Sequence, residues 1–171
     1  MSNKSLNIAK SSQQPGDWQG GVKNVAVTDL ILVNSVIISA VESWQLPERL
    51  KRLSLPILQY AAEDLAEFEF FLHDHNDSVN GVAVLGRDAG LKGKHGTRCA
   101  LLHGLYVHAD AQRTGVGRAL QQTVAVHARE LGCEGLLVKA QRVARSYFEA
   151  QGYEECESQS VDYPYLYWKA I

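Results

Sequence analysis

The sequence predicts a mixed α/β domain whose sheet has a strand, a turn and a helix at its centre. Three observations support this. The apolar segment CALLHGLYV (Cys99 to Val107) is typical of a central strand buried on both faces. A polar loop containing QRTGVG (Gln112 to Gly117) then leads into a segment whose apolar residues recur every three or four positions. Further strand-like and helix-like segments alternate around this unit, which favours an α/β sheet.

The N-terminal part predicts a tail, a strand and two helices. Residues 1–20 contain no sustained apolar run and are predicted to be a disordered tail. GVKNVAV (Gly21 to Val27) predicts a strand, and Thr28-Asp29 can cap a helix that continues to about Trp44. Pro47 then predicts the start of a short second helix, LPERLKRL. The domain is therefore predicted to span residues 21–171.

The rest of the chain predicts a meander followed by alternating strands and helices. EFEFFL (Glu67 to Leu72) and VNGVAVLG (Val79 to Gly86) predict a hairpin, with HDHNDS as its polar turn. After QRTGVG, we predict a long helix closed by Gly132, the strand GLLVKA, the short helix RVARSYFEA ending at Gly152, and final strands in YEECE and YLYWKA.

Composition excludes several classes of protein. The chain has 171 residues, of which 46% are hydrophobic and 21% charged, as in a soluble globular domain. Its formal net charge of −2 and its lack of a basic run exclude electrostatic binding of nucleic acid. No segment approaches the ~18 apolar residues of a membrane span. Cys99, Cys133 and Cys156 form no CxxC pair and are typical of reduced thiols, so we predict a cytoplasmic protein.

The loop QRTGVG has two interpretations, a phosphate cradle or a polar turn. A helix N-terminus gathers unpaired N–H groups and the positive end of the helix dipole, which together bind phosphate. Gly115 and Gly117 would let a phosphate approach the backbone, and Arg113 and Arg118 would add positive charge. The segment lacks the Lys-Ser/Thr of a P-loop and the GxGxxG of a dinucleotide fold.

Two motifs resemble those of the GCN5-related N-acetyltransferase (GNAT) family. LLHGLYVHADAQRTGVGRALQQ has the family's strand, its [QR]-x-x-G-x-[GA] loop and its long helix. LVKAQRVARSYFEAQGYEE matches the family's next motif at Ala144, Tyr147, Gly152 and Tyr153. The resemblance implies a sheet of about six to seven strands with about four helices, whose central strands splay apart to admit acyl-CoA. It also implies an acetyltransferase.

The resemblance implies that acetyl-CoA is the co-substrate and that no metal is required. Pantetheine would pair with the backbone of Leu105, Tyr106 and Val107, and Gln141 stands where the motif has a cofactor-contacting Asn. The acceptor would be a primary amine of a small molecule or peptide, with no nucleic-acid or membrane partner, and a homodimer is left open. The pyrophosphate would lie on the loop amides of Gln112, Arg113, Thr114, Gly115, Val116, Gly117 and Arg118.

The catalytic residues are where the sequence departs from the family pattern. His103 stands where relatives often have a Glu base, and it is either a substitute base or a core histidine. Glu67 and Glu69 are the other candidate bases. The family's acid is the second residue of an aromatic pair, which is reversed here as Tyr147-Phe148. Tyr147 is therefore either the acid or a core aromatic.

Other patterns favour structural roles. His73 and His75 could form a metal pair, but no third ligand has a fixed spacing, so we predict no metal site. The alternating tail, Tyr163 to Trp168, predicts a strand rather than a substrate cage. Two rival functions stay open. Phe148 in the acid position is compatible with a non-catalytic acyl-CoA-binding module, and an unrelated α/β interaction domain would need the glycines only for a turn.

Overall fold

The computed structural model describes residues 25–75, 78–88, 90–157 and 165–171. Within these residues it has one seven-stranded mixed sheet and four α-helices, which confirms the predicted fold class. The helices are α1 (Leu30–Glu42), α2 (Glu48–Leu58), α3 (Val116–Glu130) and α4 (Arg145–Ala150). The strands are β1 (Phe68–His75), β2 (Ser78–Gly86), β3 (Leu91–Lys92), β4 (Arg98–Val107), β5 (Gly135–Lys139), β6 (Glu154–Cys156) and β7 (Leu166–Ala170).

The strand order is β1-β2-β4-β5-β7-β6, with the short β3 paired to the start of β4. β4 and β5 are parallel, whereas the other neighbouring strands are antiparallel. The parallel pair requires a crossover, which α3 supplies by packing on β4 and β2. The predicted central strand–turn–helix is therefore the connection from β4 to β5.

β4 and β5 separate part of the way along their length. Their pairing runs from Cys99 opposite Gly135 to Leu102 opposite Val138. At the next residue β4 contains a bulge, because β2 pairs with Leu102 and Gly104 through consecutive residues and leaves His103 as the extra residue. From His103 onward, β4 has no register partner in β5 among the described residues. The edge of β4 that faces β5 is thus uncovered there.

Each face of the sheet carries a hydrophobic core. On one face, α3 and α4 pack on the sheet through Val116, Leu120, Val124 and Phe148, with Tyr167 beneath them. On the other face, α1 packs through its buried apolar residues, which recur every three or four positions as the sequence predicts. No helix in the described parts of the chain is both long enough and apolar enough to cross a bilayer.

Two local predictions were wrong. The predicted first strand is not formed by its described residues, because Val27 begins a 3₁₀ turn, Val27–Asp29. The Asp29 carboxylate accepts the N–H of Ala26, and the carbonyl of Ala26 accepts the N–H of Asp29, at 2.9 Å each. This local pairing competes with a strand ladder. Residues 1–24, including the predicted tail, lie outside the described residues.

The hairpin also differs from prediction. His73 is not part of a solvated turn, since β1 continues to His75 and the His73 side chain is only 1% exposed. The backbone pairing with β2 extends to His75 opposite Ser78, and this longer ladder carries His73 into the sheet. The second helix is longer than predicted and ends at Leu58. Tyr163 lies outside the described residues.

Candidate active site

A cavity of about 860 Å³ lies where β4 leaves β5. It is bounded by the end of α1, the last residues of β4, the QRTGVG loop and the start of α4. The residues predicted to bind the cofactor that line it are Leu105, Tyr106, Val107, Gln112, Arg113, Thr114, Gly115, Gly117 and Arg118. Tyr147 lines it as well. The structure thus brings together the loop, the open edge of β4 and the second motif.

The loop leaves backbone N–H groups without helical partners beside this cavity. Arg113 and Gly115 both adopt left-handed backbone conformations, with φ of 63° and 100°. Gly115 is the N-cap of α3, so the N–H groups of Val116, Gly117 and Arg118 have no preceding helical turn to bond to. The positive end of the helix dipole is at the same place. The side chain of Val116 is buried in the core, so this residue offers a ligand only its backbone.

The two glycines of the loop are required for different reasons. A Cβ on Gly115 would meet nothing within 4 Å, so this glycine is needed for its positive φ and leaves open space beside the backbone. A Cβ on Gly117 would lie 2.7 Å from the Tyr147 hydroxyl oxygen. Gly117 therefore makes room for Tyr147 above the first turn of α3.

Hydrogen bonds from α1 hold the loop in place. The side-chain amide of Gln112 donates to the Ser43 hydroxyl at 2.9 Å and to the Val107 carbonyl at 3.3 Å. The N–H of Ala109 donates to the Ser39 hydroxyl at 3.0 Å. The two serines are one helical turn apart, so a single face of α1 fastens the start of the loop. The sequence analysis missed both.

The charges around the cavity suit an anionic ligand. Arg113 and Arg118 are exposed at its rim. No Asp or Glu of the described residues lines it. Left-handed turns and a helix N-terminus also form anion-binding concavities. The chain's own residues thus fit a ligand that combines a phosphate group with an extended, strand-like arm.

Both rings of the reversed aromatic pair border the cavity, but only that of Tyr147 is substantially exposed. Phe148 is 5% exposed and packs edge-on against Tyr153. Tyr147 is 37% exposed, and its hydroxyl accepts a hydrogen bond from the side-chain amide of Gln121 at 2.7 Å. Burial raises the pKa of Tyr147 above its ordinary value. Gln121 itself is buried, at 7% exposed.

His103 does not line this cavity. It lies on the β4 bulge, where the ring of Phe68 covers it at a centroid distance of 4.3 Å. Its Nδ1 is 2.8 Å from the hydroxyl oxygen of Tyr60, and the rest of the side chain is exposed. Partial burial lowers the pKa of His103, and the positive charge of Lys139 lowers this pKa further. His103 is therefore a neutral, partly accessible imidazole beside the splay, not a core histidine.

The backbone of Tyr60 is held by the side chain of Asn34. The side chain of Asn34 accepts the N–H of Tyr60 at 3.0 Å and donates to its carbonyl at 2.9 Å. A Cβ on Gly104 would lie 2.7 Å from the Tyr60 hydroxyl oxygen, so only glycine at this position lets the phenol reach His103. Burial raises the pKa of Tyr60 far above its ordinary value, which keeps the phenol protonated.

The remaining candidates lie elsewhere. Glu69 is held by Arg87 at 3.0 Å and lies 2.5 Å from Nε2 of His127, on the α3 side of the sheet. Glu67 is exposed at the end of a 3₁₀ turn, and Gln141 is exposed outside the cavity. No cluster of three or more potential metal ligands occurs among the described residues.

The fold and the site define a class of α/β proteins in which two central parallel strands splay beside a glycine-bearing loop at a helix N-terminus. A sequence profile of the Acetyltransferase (GNAT) family matches residues 37–153. The chain belongs to this family, whose members use acetyl-CoA. No curated protein sequence matches it significantly.

Solved structures share the fold. The PaiA N-acetyltransferase of Thermoplasma acidophilum, in complex with coenzyme A, has a TM-score of 0.71 at 12% identity, covering 87% of this chain and 97% of its own. A Brucella melitensis GNAT acetyltransferase in complex with acetyl-CoA has a TM-score of 0.58 at 12% identity, over 87% and 86%. Tetrahymena GCN5 has a TM-score of 0.61 at 21% identity, over 84% and 87%. At these identities the likeness shows the fold alone.

Proposed function

We propose that the protein is an acetyl-CoA-dependent N-acetyltransferase that acts on a primary amine of a small molecule or peptide. One observation carries the proposal. The open strand edge of Leu105–Val107 and the QRTGVG loop line one cavity, and His103 lies outside that cavity on the β4 bulge, where the splay begins. The coenzyme A and acetyl-CoA complexes of the two structural neighbours support it.

The cradle would hold the cofactor by its pyrophosphate. The amides from Gln112 to Arg118 would bind the phosphate oxygens, and the open edge of β4 would pair with the pantetheine amides as an added strand. When bound, acetyl-CoA supplies an activated acetyl thioester. Its thiol has an ordinary pKa of ~8.5, so the thiolate can leave without a dedicated acid. Phe148, buried in the core, leaves no hydroxyl at the family's acid position.

His103 is the proposed base. A primary alkylamine has a pKa of ~10.4, and moving its proton to an imidazole of pKa ~6.5 costs at least roughly 5 kcal/mol. The acceptor must therefore enter as the neutral amine, because an ammonium has no lone pair for attack. His103 would then take the second proton, which becomes acidic as the nitrogen bonds to the carbonyl carbon. For Nε2 to take the proton, Nδ1 must carry the other hydrogen and donate it to the Tyr60 oxygen, 2.8 Å away. Tyr60 thus orients the ring for this role.

The acceptor would approach from the side of His103, past Phe68 and the α1–α2 end of the sheet. Asp64 is close enough to raise the pKa of His103, against the larger effects of burial and Lys139. A carboxylate here would attract a cationic amine. The loops and helices around this entrance are the parts of a fold that vary to set specificity.

An amine screen tests the proposal. The protein is incubated with acetyl-CoA and a library of primary amines, and free thiol is measured. We expect acceptor-dependent thiol release that His103→Ala lowers on the order of 10²-fold with coenzyme A affinity unchanged. The alternative, a non-catalytic acyl-CoA-binding module, is favoured by Phe148 in the acid position. It predicts coenzyme A binding with no thiol release for any amine.

A further inference from the structure

We propose that Tyr147 is a phosphate ligand in the cradle and that the buried Gln121 positions its hydroxyl for this role. The inference rests on the proposed function, because the phosphate is that of bound coenzyme A. It changes the role expected from the family pattern, in which the hydroxyl of the aromatic pair serves as an acid toward the thiolate.

The location of the hydroxyl is the first argument. The Tyr147 oxygen is 2.7 Å from the place where a Cβ of Gly117 would stand, directly above the first turn of α3. This turn is where the unpaired amides and the positive dipole end are found. A donor at this place adds to the ligands of an anion on the cradle. His103, beside which acetyl transfer would occur, lies on the β4 bulge and outside this cavity.

The direction of the proton is the second argument. Gln121 donates its side-chain N–H to the Tyr147 oxygen at 2.7 Å, so it occupies one acceptor position of the phenol. The phenol's own proton must then point away from Gln121. Because burial keeps the pKa of Tyr147 above its ordinary value, the hydroxyl stays protonated and acts as a donor. A protonated donor that faces a phosphate cradle is suited to bind a phosphate oxygen.

The burial of Gln121 is the third argument. It is 7% exposed, and it lies between the buried Leu120 and Val124 on one side and the exposed Arg118 and Gln122 on the other. A buried amide stabilises the fold only when its hydrogen bonds are made, and an apolar side chain of this size would pack with less cost. The hydrogen bond from the Gln121 amide to Tyr147 fixes the direction in which the hydroxyl points its proton, and we assign this function to Gln121.

The reversed aromatic pair follows from this arrangement. The second position of the pair holds Phe148, which fills the core between Tyr153 and Tyr167. The hydroxyl has moved to the first position, one residue earlier and therefore about 100° around α4. It faces Gly117 as a result. The reversed order of Tyr147 and Phe148 thus removes the hydroxyl from the family's acid position and puts it beside the proposed phosphate site at the start of α3.

Binding measurements on four variants test the inference. Coenzyme A is titrated calorimetrically into the parent protein, Tyr147→Phe, Gln121→Met, the double variant and Tyr165→Phe. Tyr165 is the matched control, because its ring packs under Arg145 and lies outside the cavity. We expect Tyr147→Phe to weaken coenzyme A binding by about tenfold to a hundredfold, as for loss of a hydrogen bond to a charged group. Tyr165→Phe should bind like the parent.

Gln121→Met should also weaken binding, and the double variant should bind no more weakly than Tyr147→Phe, because Gln121 acts only through the phenol. At saturating acetyl-CoA, Tyr147→Phe should keep kcat within about threefold of the parent, which separates binding from an acid role. With S-acetyl-pantetheine, which has no pyrophosphate, Tyr147→Phe should have the parent's kcat/KM.

Three results would overturn the inference. Parent-like coenzyme A affinity in Tyr147→Phe would show that the hydroxyl does not contact the phosphate, and the proposed function would stand. A fall in kcat with both acetyl donors at unchanged affinity would show that Tyr147 is the acid after all. If the parent protein itself binds no coenzyme A, this inference fails together with the proposed function.

Discussion

Replacement of Gly117 by alanine tests the geometry of the cradle without any ligand. The new methyl group would stand 2.7 Å from the Tyr147 oxygen, which is closer than real contacts allow. Tyr147 can swing away, but its hydroxyl then leaves the side-chain amide of Gln121. Loss of the hydrogen bond leaves the amide buried without this partner, at a cost of about 1–3 kcal/mol. The higher helix propensity of alanine relative to glycine offsets this cost by up to ~1 kcal/mol.

The same replacement in a Tyr147→Phe background should have a different effect. Phenylalanine has no hydroxyl, and the methyl group would then face the ring carbon Cζ at 3.4 Å, an ordinary contact. Gln121 has already lost its partner in this background, so only the helix propensity term remains. We therefore expect Gly117→Ala to be neutral or stabilising in Tyr147→Phe, and destabilising in the parent protein.

Urea denaturation of the four proteins measures this coupling. The expected interaction energy between the two positions is about 1–3 kcal/mol, larger than the ~0.5 kcal/mol within which independent sites add. Gly135→Ala is the reference for a steric clash that does not involve Tyr147. Its Cβ would lie 2.6 Å from the side chain of Trp168. Strictly additive effects of Gly117→Ala and Tyr147→Phe would refute the contact on which the arrangement depends.

Three further outcomes are expected. Because a base must be unprotonated, kcat/KM should rise with pH in assays corrected for acceptor ionisation. The lowered pKa of His103 places the midpoint of this rise below about 6.5. A midpoint above that value would contradict the assignment of His103 as the base. Tyr60→Phe removes the oxygen that accepts the Nδ1 hydrogen, and one positioning hydrogen bond contributes about 1 kcal/mol, so kcat should fall roughly fivefold at unchanged coenzyme A affinity. Parent-like kcat would show that the ring needs no such partner. Gly115→Ala places a residue with a Cβ at a φ of 100°. We expect it to lower the free energy of unfolding, measured by urea titration, by about 1–2 kcal/mol. Unchanged stability would contradict the left-handed N-cap.

The sequence predicts the elements around the site well because strong local signals mark them. Gly132 and Gly152 follow α3 and α4 with positive φ, as predicted for residues that close helices. β4 and β5 are mostly apolar and form the parallel centre of the sheet. The two failures have different causes. Asp29 diverts the predicted first strand into a turn, and the length of the β1–β2 ladder, which buries His73, depends on pairing between two segments.

The site itself is only partly readable from the sequence. The loop motif predicts the cradle, since its glycines and arginines are contiguous. Asn34, Tyr60 and Gln121 were missed because their roles depend on partners distant in the chain. Asn34 interrupts the apolar stripe of α1, and this was the available signal for a buried polar contact. The rotation of α4 about its axis decides whether Tyr147 or Phe148 enters the core. α4 has only six residues, so its hydrophobic periodicity does not determine this rotation.

The most direct test of the central claim is a titration of the protein with acetyl-CoA, followed by calorimetry and by thermal unfolding. We expect one site per chain, for acetyl-CoA and coenzyme A alike, and a stabilisation of ~2.7 kcal/mol at a hundred times Kd, or roughly 5–11 °C in Tm. Gly117→Glu should abolish both signals, because its side chain and charge would occupy the cradle. Absence of heat and of a Tm shift with either ligand would contradict the account.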